Sequence, residues 1–147
     1  MLGKWLAQPH VRQWWGNPDQ EMALICEGLE SGEVEAFVAH VDGQSVAYVQ
    51  SWQPANYDEI GWGELVGNET LGIDIFIGPA DAVGNGLGAS IVEAFARKLQ
   101  AEGAPRVIID PDADNTRAIR AYAKAGFVAF RHWSDEEGET VLMEFAA

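Results

Sequence analysis

Three groups of residues in this chain have the types and spacing needed for chemistry on a charged ligand. The first is the run Val83-Gly84-Asn85-Gly86-Leu87-Gly88, between an apolar alternating segment (71–77) and an amphipathic one (89–102). A strand that turns through glycines into a helix N-terminus presents free backbone N–H groups, which suit a phosphate or pyrophosphate. Taken alone, such a run also fits a strand-to-helix turn that binds nothing.

The second group is an acid inside an apolar strand. Asp74 interrupts the segment 71–77, where an ionised side chain is costly unless it has a partner. Alternation places it on the face of Gly72 and Phe76, so the competing interpretation is a residue on the solvent side of a sheet. A carboxylate in such a strand can bind a cation and accept a proton, directly or through water.

The third group follows the buried segment Val107-Ile108-Ile109. The acids of Asp110-Pro111-Asp112-Ala113-Asp114 imitate the start of a calcium loop, but Asn115 lies where glycine is needed and Ala121 where the bidentate glutamate belongs. A helix cap is the better interpretation. Asn115 and Tyr122 are seven residues apart and so share a helix face.

The elements that must position these groups follow from periodicity and from turn residues. Strict alternation predicts strands, and apolar residues three and four apart predict helices. The predicted order is α-α-β-β-β-α-β-α-β-β, with helices at 5–15, 18–29, 89–102 and 115–124 and strands at 34–41, 45–52, 71–77, 107–109, 127–133 and 140–145. Asp42-Gly43 predicts a tight hairpin turn. Residues 53–70 are irregular and form a candidate functional loop. The fold class expected is α/β (α+β), a mixed sheet with helices packed on it.

Composition restricts the class of protein further. The chain has 147 residues, of which 48% are hydrophobic, and this fits one domain over 1–147 with a full core. No segment resembles a signal peptide or a membrane span, so we expect a cytoplasmic protein. The net charge of −14 argues against a nucleic-acid partner. The single Cys26 is expected to be a small packing residue, and no metal site is expected from the scattered His10, His40 and His132.

The acids and bases are distributed unequally. Residues 1–70 carry eleven acids and two bases, whereas 71–147 carry twelve acids and seven bases. The basic residues that could meet a polyanionic cofactor are Arg97, Lys98, Arg106, Arg117, Arg120, Lys124 and Arg131. The N-terminal half is suited to something positively charged.

Two blocks resemble the GNAT superfamily of acetyl-CoA-dependent N-acetyltransferases. Gly86 and Gly88 match that family's pyrophosphate motif, although Val83 stands where a Gln or Arg is usual. The segment Asp114 to Phe127 resembles the family's Asn-x-x-Ala-x-x-x-Tyr-x-x-x-Gly-Phe helix almost throughout. The resemblance implies a GNAT fold with about six strands, mostly antiparallel, and four flanking helices. The usual N-terminal edge strand is expected to be absent here, or the start to have been trimmed.

Within the superfamily the chain is most similar to aminoglycoside 6′-N-acetyltransferases. The similarity includes Trp14-Trp15-Gly16, Ala47-Tyr48-Val49-Gln50-Ser51, Gly72-Ile73-Asp74 and Asp110-Pro111. It implies Asp74 as the acceptor carboxylate and Tyr122 as proton donor to the leaving thiolate. The phenol, at its ordinary pKa of about 10, suits that donation. The implied acetyl-CoA contacts are Ile75, Phe76, Ile77, Val83, Gly84, Asn85, Gly86, Leu87, Gly88, Ala89, Asn115 and Arg120.

The same resemblance implies a site for a small cationic amine substrate. Its acids are Asp74, Asp110, Glu59 and Glu137, and its aromatic walls are Trp15 and Trp62. Two acceptor positions of the subgroup differ here, because a Tyr and a Glu fall on Leu24 and Gly32. Glu33 is a candidate substitute for the second.

The function expected is acetyl transfer from acetyl-CoA to a primary amine, directly in a ternary complex, by a monomer or a homodimer. An aminoglycoside 6′-amino group is the first candidate acceptor. Other polyamines, amino-sugars, hydroxylysine-type siderophore precursors and protein N-termini are alternatives, and a non-catalytic acetyl-CoA binder is the rival from another class.

Overall fold

A computed structural model describes residues 1–146 as one mixed sheet with helices on both faces. The helices are α1 (Leu2–Leu6), α2 (Pro9–Trp15), α3 (Pro18–Ser31), α4 (Gly63–Val66), α5 (Leu87–Ala101) and α6 (Thr116–Ala125). The strands are β1 (Glu35–Val41), β2 (Gln44–Trp52), β3 (Leu71–Ile77), β4 (Val107–Ile109), β5 (Phe127–Asp135) and β6 (Gly138–Phe145). The predicted order of elements is confirmed with two differences: the first predicted helix is divided into α1 and α2, and the short helix α4 is added between β2 and β3.

The sheet has the order β1-β2-β3-β4-β6-β5. Neighbouring strands are antiparallel except β3 and β4, which are parallel and joined through α5. The predicted mixed, mostly antiparallel sheet of six strands is thus confirmed. Asp42 and Gly43 form the turn between β1 and β2 with φ values of 51° and 79°, as the left-handed residues of a tight hairpin require.

Both faces of β2 and β3 are covered, and this explains why β3 is apolar at nearly every position. On one face Val49 and Ile73 pack under α5 and α6. On the other face Tyr48 and Phe76 pack against the N-terminal helices, where Trp5 meets Phe76 edge-on at 6.1 Å between ring centroids. Asp74 shares this second face, so it lies beneath α2 and α3 rather than on an exposed side of the sheet.

The helices number six rather than four in the described residues. The predicted helix 5–15 is divided at Gln8, because Pro9 begins a new helix at the first position, where its missing N–H costs nothing. The irregular segment 53–70 contains α4 and two short 3-10 turns. The expectation for Cys26 was wrong, since its side chain is exposed on α3. Among residues 1–146, no helix combines the length and the apolar character needed to cross a membrane.

Candidate active site

The site begins where β3 and β4 part. The two strands pair over only three positions, Leu71 to Ile73 with Val107 to Ile109, after which β3 continues to Ile77 paired with β2 alone. The Leu71 N–H bonds to the Arg106 carbonyl, so the odd-numbered residues of β3 turn their backbone groups toward β4. Beyond Ile109 the backbone of Ile75 therefore faces an opening in the sheet.

That opening leads into a cavity of about 960 Å³. Its walls combine the end of β3, the glycine turn, the end of β4, the first turns of α6 and part of α2. Ile75, Phe76 and Ile77, three of the acetyl-CoA contacts that the resemblance implies, line it. The Ile77 carbonyl accepts a hydrogen bond from His10 Nε2 of α2 at 2.8 Å, so it already has a partner within the protein.

The glycine turn forms one end of this larger cavity. Across the described chain, no carbonyl or side chain accepts a hydrogen bond from the six consecutive N–H groups of residues 84–89. Gly84 and Gly86 have φ values of +88° and +76°, which side chains other than glycine rarely adopt. A Cβ on Gly88 would enter open space in the cavity. The turn therefore has the free donors and the room that a pyrophosphate needs.

Basic residues contribute less to this cavity than their number suggests. Three of the seven in 71–147 are held in salt bridges elsewhere, namely Arg97, Lys98 and Arg106. Arg117 lines the cavity, and the Lys124 ammonium lies 3.8 Å from where a Cβ on Gly86 would stand. The candidate cation beside the turn is thus Lys124 on α6. Arg120, Asn85 and Leu87 are not among the residues that line the cavity.

Two carboxylates meet at the point where β3 and β4 part. Ile73 is in register with Ile109, so the next residues, Asp74 and Asp110, end the paired segment side by side, and both line the larger cavity. Burial raises the pKa of Asp74 to about 6, against the effect of a 2.9 Å hydrogen bond from Gln50 Nε2. Burial first, and then the charge of Asp74, raise the pKa of Asp110 well above its ordinary value. Burial thus raises the pKa of both carboxyls, and that of Asp74 lies at about 6.

The Trp52 indole acts on the same carboxylate. Its N–H favours the charged form of Asp74, although it is buried and lies outside hydrogen-bond geometry with any acceptor of the described chain. The N–H dipole of Trp52 therefore lowers the pKa of Asp74 without forming a hydrogen bond to it.

Tyr122 and Asn115 reach the cavity from α6. Asn115 Oδ1 accepts the Ala118 N–H at 3.3 Å and so caps the helix, while the residue also lines the cavity. Burial, followed by the charges of Asp74 and Asp110, raises the pKa of the Tyr122 phenol. Tyr122 therefore keeps its proton throughout the neutral range, but it is a weaker acid than its ordinary pKa of about 10 suggested.

A second cavity of about 580 Å³ opens on the other side of Asp74. Trp15, Glu21 and Asp74 line both cavities, so the two meet at these residues. The other acidic and aromatic residues that line the smaller cavity are Glu27, Glu33, Glu59, Trp52 and Tyr57. The Tyr57 hydroxyl donates to Glu33 at 3.1 Å, which joins the loop 53–70 to the end of α3.

Some predicted acceptor residues lie elsewhere. Trp62 is 3% exposed and packs with Val66, Ile108 and Leu142 in the interior, behind Trp52. Glu137 is exposed in the turn between β5 and β6 and lines neither cavity. Trp15, Glu59, Asp74 and Asp110 do line the cavities. Leu24 lines the smaller one, and Gly32 ends α3 with a φ of +78°.

Sequence reasoning missed several cavity residues. Glu21 and Glu27 lie on α3, whose acidic residues had no assigned role, and Trp52 ends β2. Gln50 could have been found, because a polar residue on a central strand directly opposite Asp74 is the natural partner of that buried acid. Within residues 1–146, no three His, Cys, Asp or Glu side chains are grouped so as to hold a metal ion.

Replacing Asp110 with asparagine should stabilise the protein in a pH-dependent way. The carboxyl is neutral in the folded and unfolded states at low pH, whereas above its raised folded pKa it is charged and buried, so stability is lost as the pH rises. We expect the Asp110→Asn protein to have a higher Tm than wild type at pH 8 and the same Tm near pH 4. The exposed Asp81→Asn is the control. An equal gain in Tm at both pH values would mean that the effect comes from packing and not from the charge of Asp110.

Comparison with known proteins gives consistent matches over nearly the whole chain. The model of the acetyltransferase (GNAT) domain family matches residues 1–134. An aminoglycoside N(6′)-acetyltransferase type 1 from Klebsiella pneumoniae is 29% identical over 151 residues, which cover 97% of this chain and 75% of that protein. The structure of AAC(6′)-Ib with paromomycin and acetyl-CoA has a TM-score of 0.86 at 29% identity, covering 98% of this chain and 85% of that one. The structure of AAC(6′)-Ib with coenzyme A and kanamycin also has a TM-score of 0.86 at 29% identity, covering 98% and 86%.

Proposed function

Since this chain belongs to the GNAT acetyltransferase family, we propose that it transfers the acetyl group of acetyl-CoA to a primary amine of an aminoglycoside. The 6′-amino group is the proposed acceptor atom, and transfer is direct, in a ternary complex. The observation that carries the proposal is the junction of two cavities at Asp74, one with a cradle of free N–H groups and one with acidic and aromatic walls.

The larger cavity suits the cofactor. The free N–H groups of 84–89 would hold its pyrophosphate, with Lys124 beside them. The open backbone of Ile75 and the side chain of Asn115 would bind the pantetheine arm. When bound, acetyl-CoA supplies a thioester whose carbonyl carbon accepts the amine nitrogen as the bond to sulfur breaks. The relatives with acetyl-CoA or coenzyme A bound support this assignment.

The smaller cavity suits a multiply charged cation. Glu21, Glu27, Glu33 and Glu59 surround it, and Trp15, Trp52 and Tyr57 provide flat faces for sugar rings or for ammonium groups. A peptide with a single terminal amine would leave most of these acids without a partner, so a small polycation is the better match. The relatives named for aminoglycosides support this acceptor class.

Proton movement is assigned to two residues. Asp74 binds the ammonium and accepts one proton, which produces the neutral nucleophile. Tyr122 gives a proton to the departing thiolate, and the second proton lost by the acetylated nitrogen restores the phenol. A cation bound against Asp74 and Asp110 offsets two of the three causes that raise the pKa of Tyr122, so the phenol becomes a stronger acid only once the acceptor is in place.

One assay tests the proposed function. The protein is mixed with acetyl-CoA and, separately, with kanamycin-type aminoglycosides, polyamines, amino-sugars and peptides, and free CoA thiol is followed. We expect thiol release with aminoglycosides that carry a 6′-amino group and not with 6′-hydroxyl analogues. Release with peptides alone would contradict the acceptor class, and no release with any amine would contradict the enzymatic function.

Tyr122→Phe should lower kcat about 100-fold, because general acid catalysis contributes factors of about that size or more. Coenzyme A affinity should be unchanged, since the cradle at residues 84–89 is untouched. Tyr57→Phe is a matched comparison, because it removes a phenol that reaches Glu33 and should change KM for the acceptor more than kcat. An unchanged kcat in Tyr122→Phe would remove Tyr122 from the proposed proton transfer.

A further inference from the structure

A row of hydrogen bonds, buried at Tyr48 and Gln50 and half-buried at Asp74, crosses from β2 to β3. Gln50 lies directly opposite Asp74 in the antiparallel register, and Tyr48 lies two residues earlier on the same face of β2. The Tyr48 hydroxyl donates to Gln50 Oε1, and Gln50 Nε2 donates to Asp74 Oδ2 at 2.9 Å. Tyr48 is 1% exposed and Gln50 is 9% exposed.

The protonation state of Tyr48 and the charge of Asp74 determine which group donates in each of these hydrogen bonds. Burial is the main cause that raises the pKa of Tyr48, so this phenol keeps its proton and offers it to Gln50. A reversed Gln50 amide would direct its oxygen at the Asp74 carboxylate, placing two acceptors against each other. Only the observed orientation gives each donor an acceptor. Tyr48 thereby fixes the amide, and the amide directs an N–H at Asp74.

From this geometry we propose that Gln50, oriented by Tyr48, is a positioning residue for Asp74 that sets the pH range in which Asp74 can accept the proton of the amine. Gln50 holds Oδ2 and leaves Oδ1 available to the acceptor. The inference rests on the proposed function, and it adds a role for Gln50, which lines the smaller cavity, and for Tyr48, which lines neither cavity.

The other groups around Asp74 make this donor necessary. Asp110 at the end of β4 and Glu21 on α3 are acidic, and the phenols of Tyr48, Tyr57 and Tyr122 surround the same carboxylate. Burial opposes its ionisation, and none of the described residues forms a salt bridge with it.

An uncharged hydrogen-bond donor suits Asp74 better than a charged one. An Arg or Lys beside Asp74 would favour the carboxylate more strongly, but its charge would repel a cationic acceptor from the same spot. The Gln50 amide stabilises the carboxylate without adding charge. This explains why Gln50, and not an Arg or a Lys, lies opposite Asp74.

The test compares pH profiles of kcat/KM for the acceptor in wild type, Gln50→Met and the exposed control Gln44→Met on the same strand. Loss of a hydrogen bond to a charged group should move the acid limb of the Gln50→Met profile upward by about one pH unit. At pH 6, where the wild-type carboxyl is about half ionised, the value should then be about fivefold below that of the control, and at pH 9 within about twofold. An equal loss at every pH, or no change, would overturn the proposal.

Two further variants test whether Tyr48 acts on Asp74 through Gln50. Tyr48→Phe should shift the limb in the same direction by less, because the amide is then free to reverse. In the double variant Tyr48→Phe/Gln50→Met the shift should equal that of Gln50→Met alone, since Tyr48 acts through Gln50. Additive shifts would show that Tyr48 acts on Asp74 independently of Gln50 and would contradict the proposal.

Two further measurements keep the test independent of folding and of the proposed function. Affinity for coenzyme A reports an intact fold, because Gln50 does not line the larger cavity. The carboxyl carbon of Asp74, titrated by ¹³C NMR without acceptor, should show the same upward shift in Gln50→Met. An inactive wild type would thus refute the function while this titration still decides the role of Gln50, and an unshifted titration would refute that role.

Discussion

Replacing Asp74 with asparagine is expected to lower kcat by about 10² to 10⁴, the range that a positioned general base contributes. The asparagine keeps the size of the side chain and its contact with Gln50, but it cannot accept a proton. Coenzyme A affinity should stay within about twofold of wild type, because the N–H cradle lies at the other end of the larger cavity. Steady-state thiol release and a coenzyme A titration measure the two quantities.

The same variant should be more stable than wild type above neutral pH. The pKa of Asp74 is raised from 3.8 to about 6 in the folded protein. Its stabilising effect is therefore present below about pH 4 and lost as the pH rises through about 6. Two pKa units correspond to at most about 3 kcal/mol, so Asp74→Asn should gain up to that amount at pH 8 and nothing at pH 4.

The exposed Asp58→Asn is the matched control, since it removes an acid that lines neither cavity. It should retain wild-type kcat and show no pH-dependent gain in stability. An Asp74→Asn enzyme with wild-type turnover would eliminate Asp74 as the base. Loss of activity together with loss of stability at pH 8 would instead indicate a structural role for the carboxylate.

Gly88→Asp is expected to weaken coenzyme A binding about 100-fold or more, because the new carboxylate would occupy the space and repel the charge of a pyrophosphate. The site of substitution is the first turn of α5, where a Cβ meets no atom within 4 Å and the backbone is unstrained. An acid in the first turn of a helix is neutral or favourable for stability. The Tm should therefore not fall.

Ser90→Asp provides the matched control. It adds the same charge near the start of the same helix, but Ser90 is exposed and does not line the cavity. We expect a change of a few fold in the dissociation constant, measured by calorimetry at low ionic strength. Equal effects of the two variants would mean that the helix start binds no phosphate through residues 84–89.

The sequence by itself predicted much of the fold and one half of the site. Alternation in 71–77, the glycines of 84–88 and the helix from Asn115 are local patterns, because strand pleating, left-handed turns and helix periodicity depend on neighbouring residues. The order of strands and helices followed from them. The half of the site that we propose for the cofactor is built from consecutive backbone groups of one such turn, so it too could be predicted by reading along the chain.

The acceptor half was decided by the tertiary structure. Whether Trp62 faces a cavity or the interior depends on how the loop 53–70 folds against β4 and β6, and no local pattern contains that contact. The pairing of Gln50 with Asp74 depends on a strand register across 24 residues. The raised pKa values of Asp74, Asp110 and Tyr122 arise only when three elements bring them into one buried space, because desolvation and the interaction of charges are properties of that space.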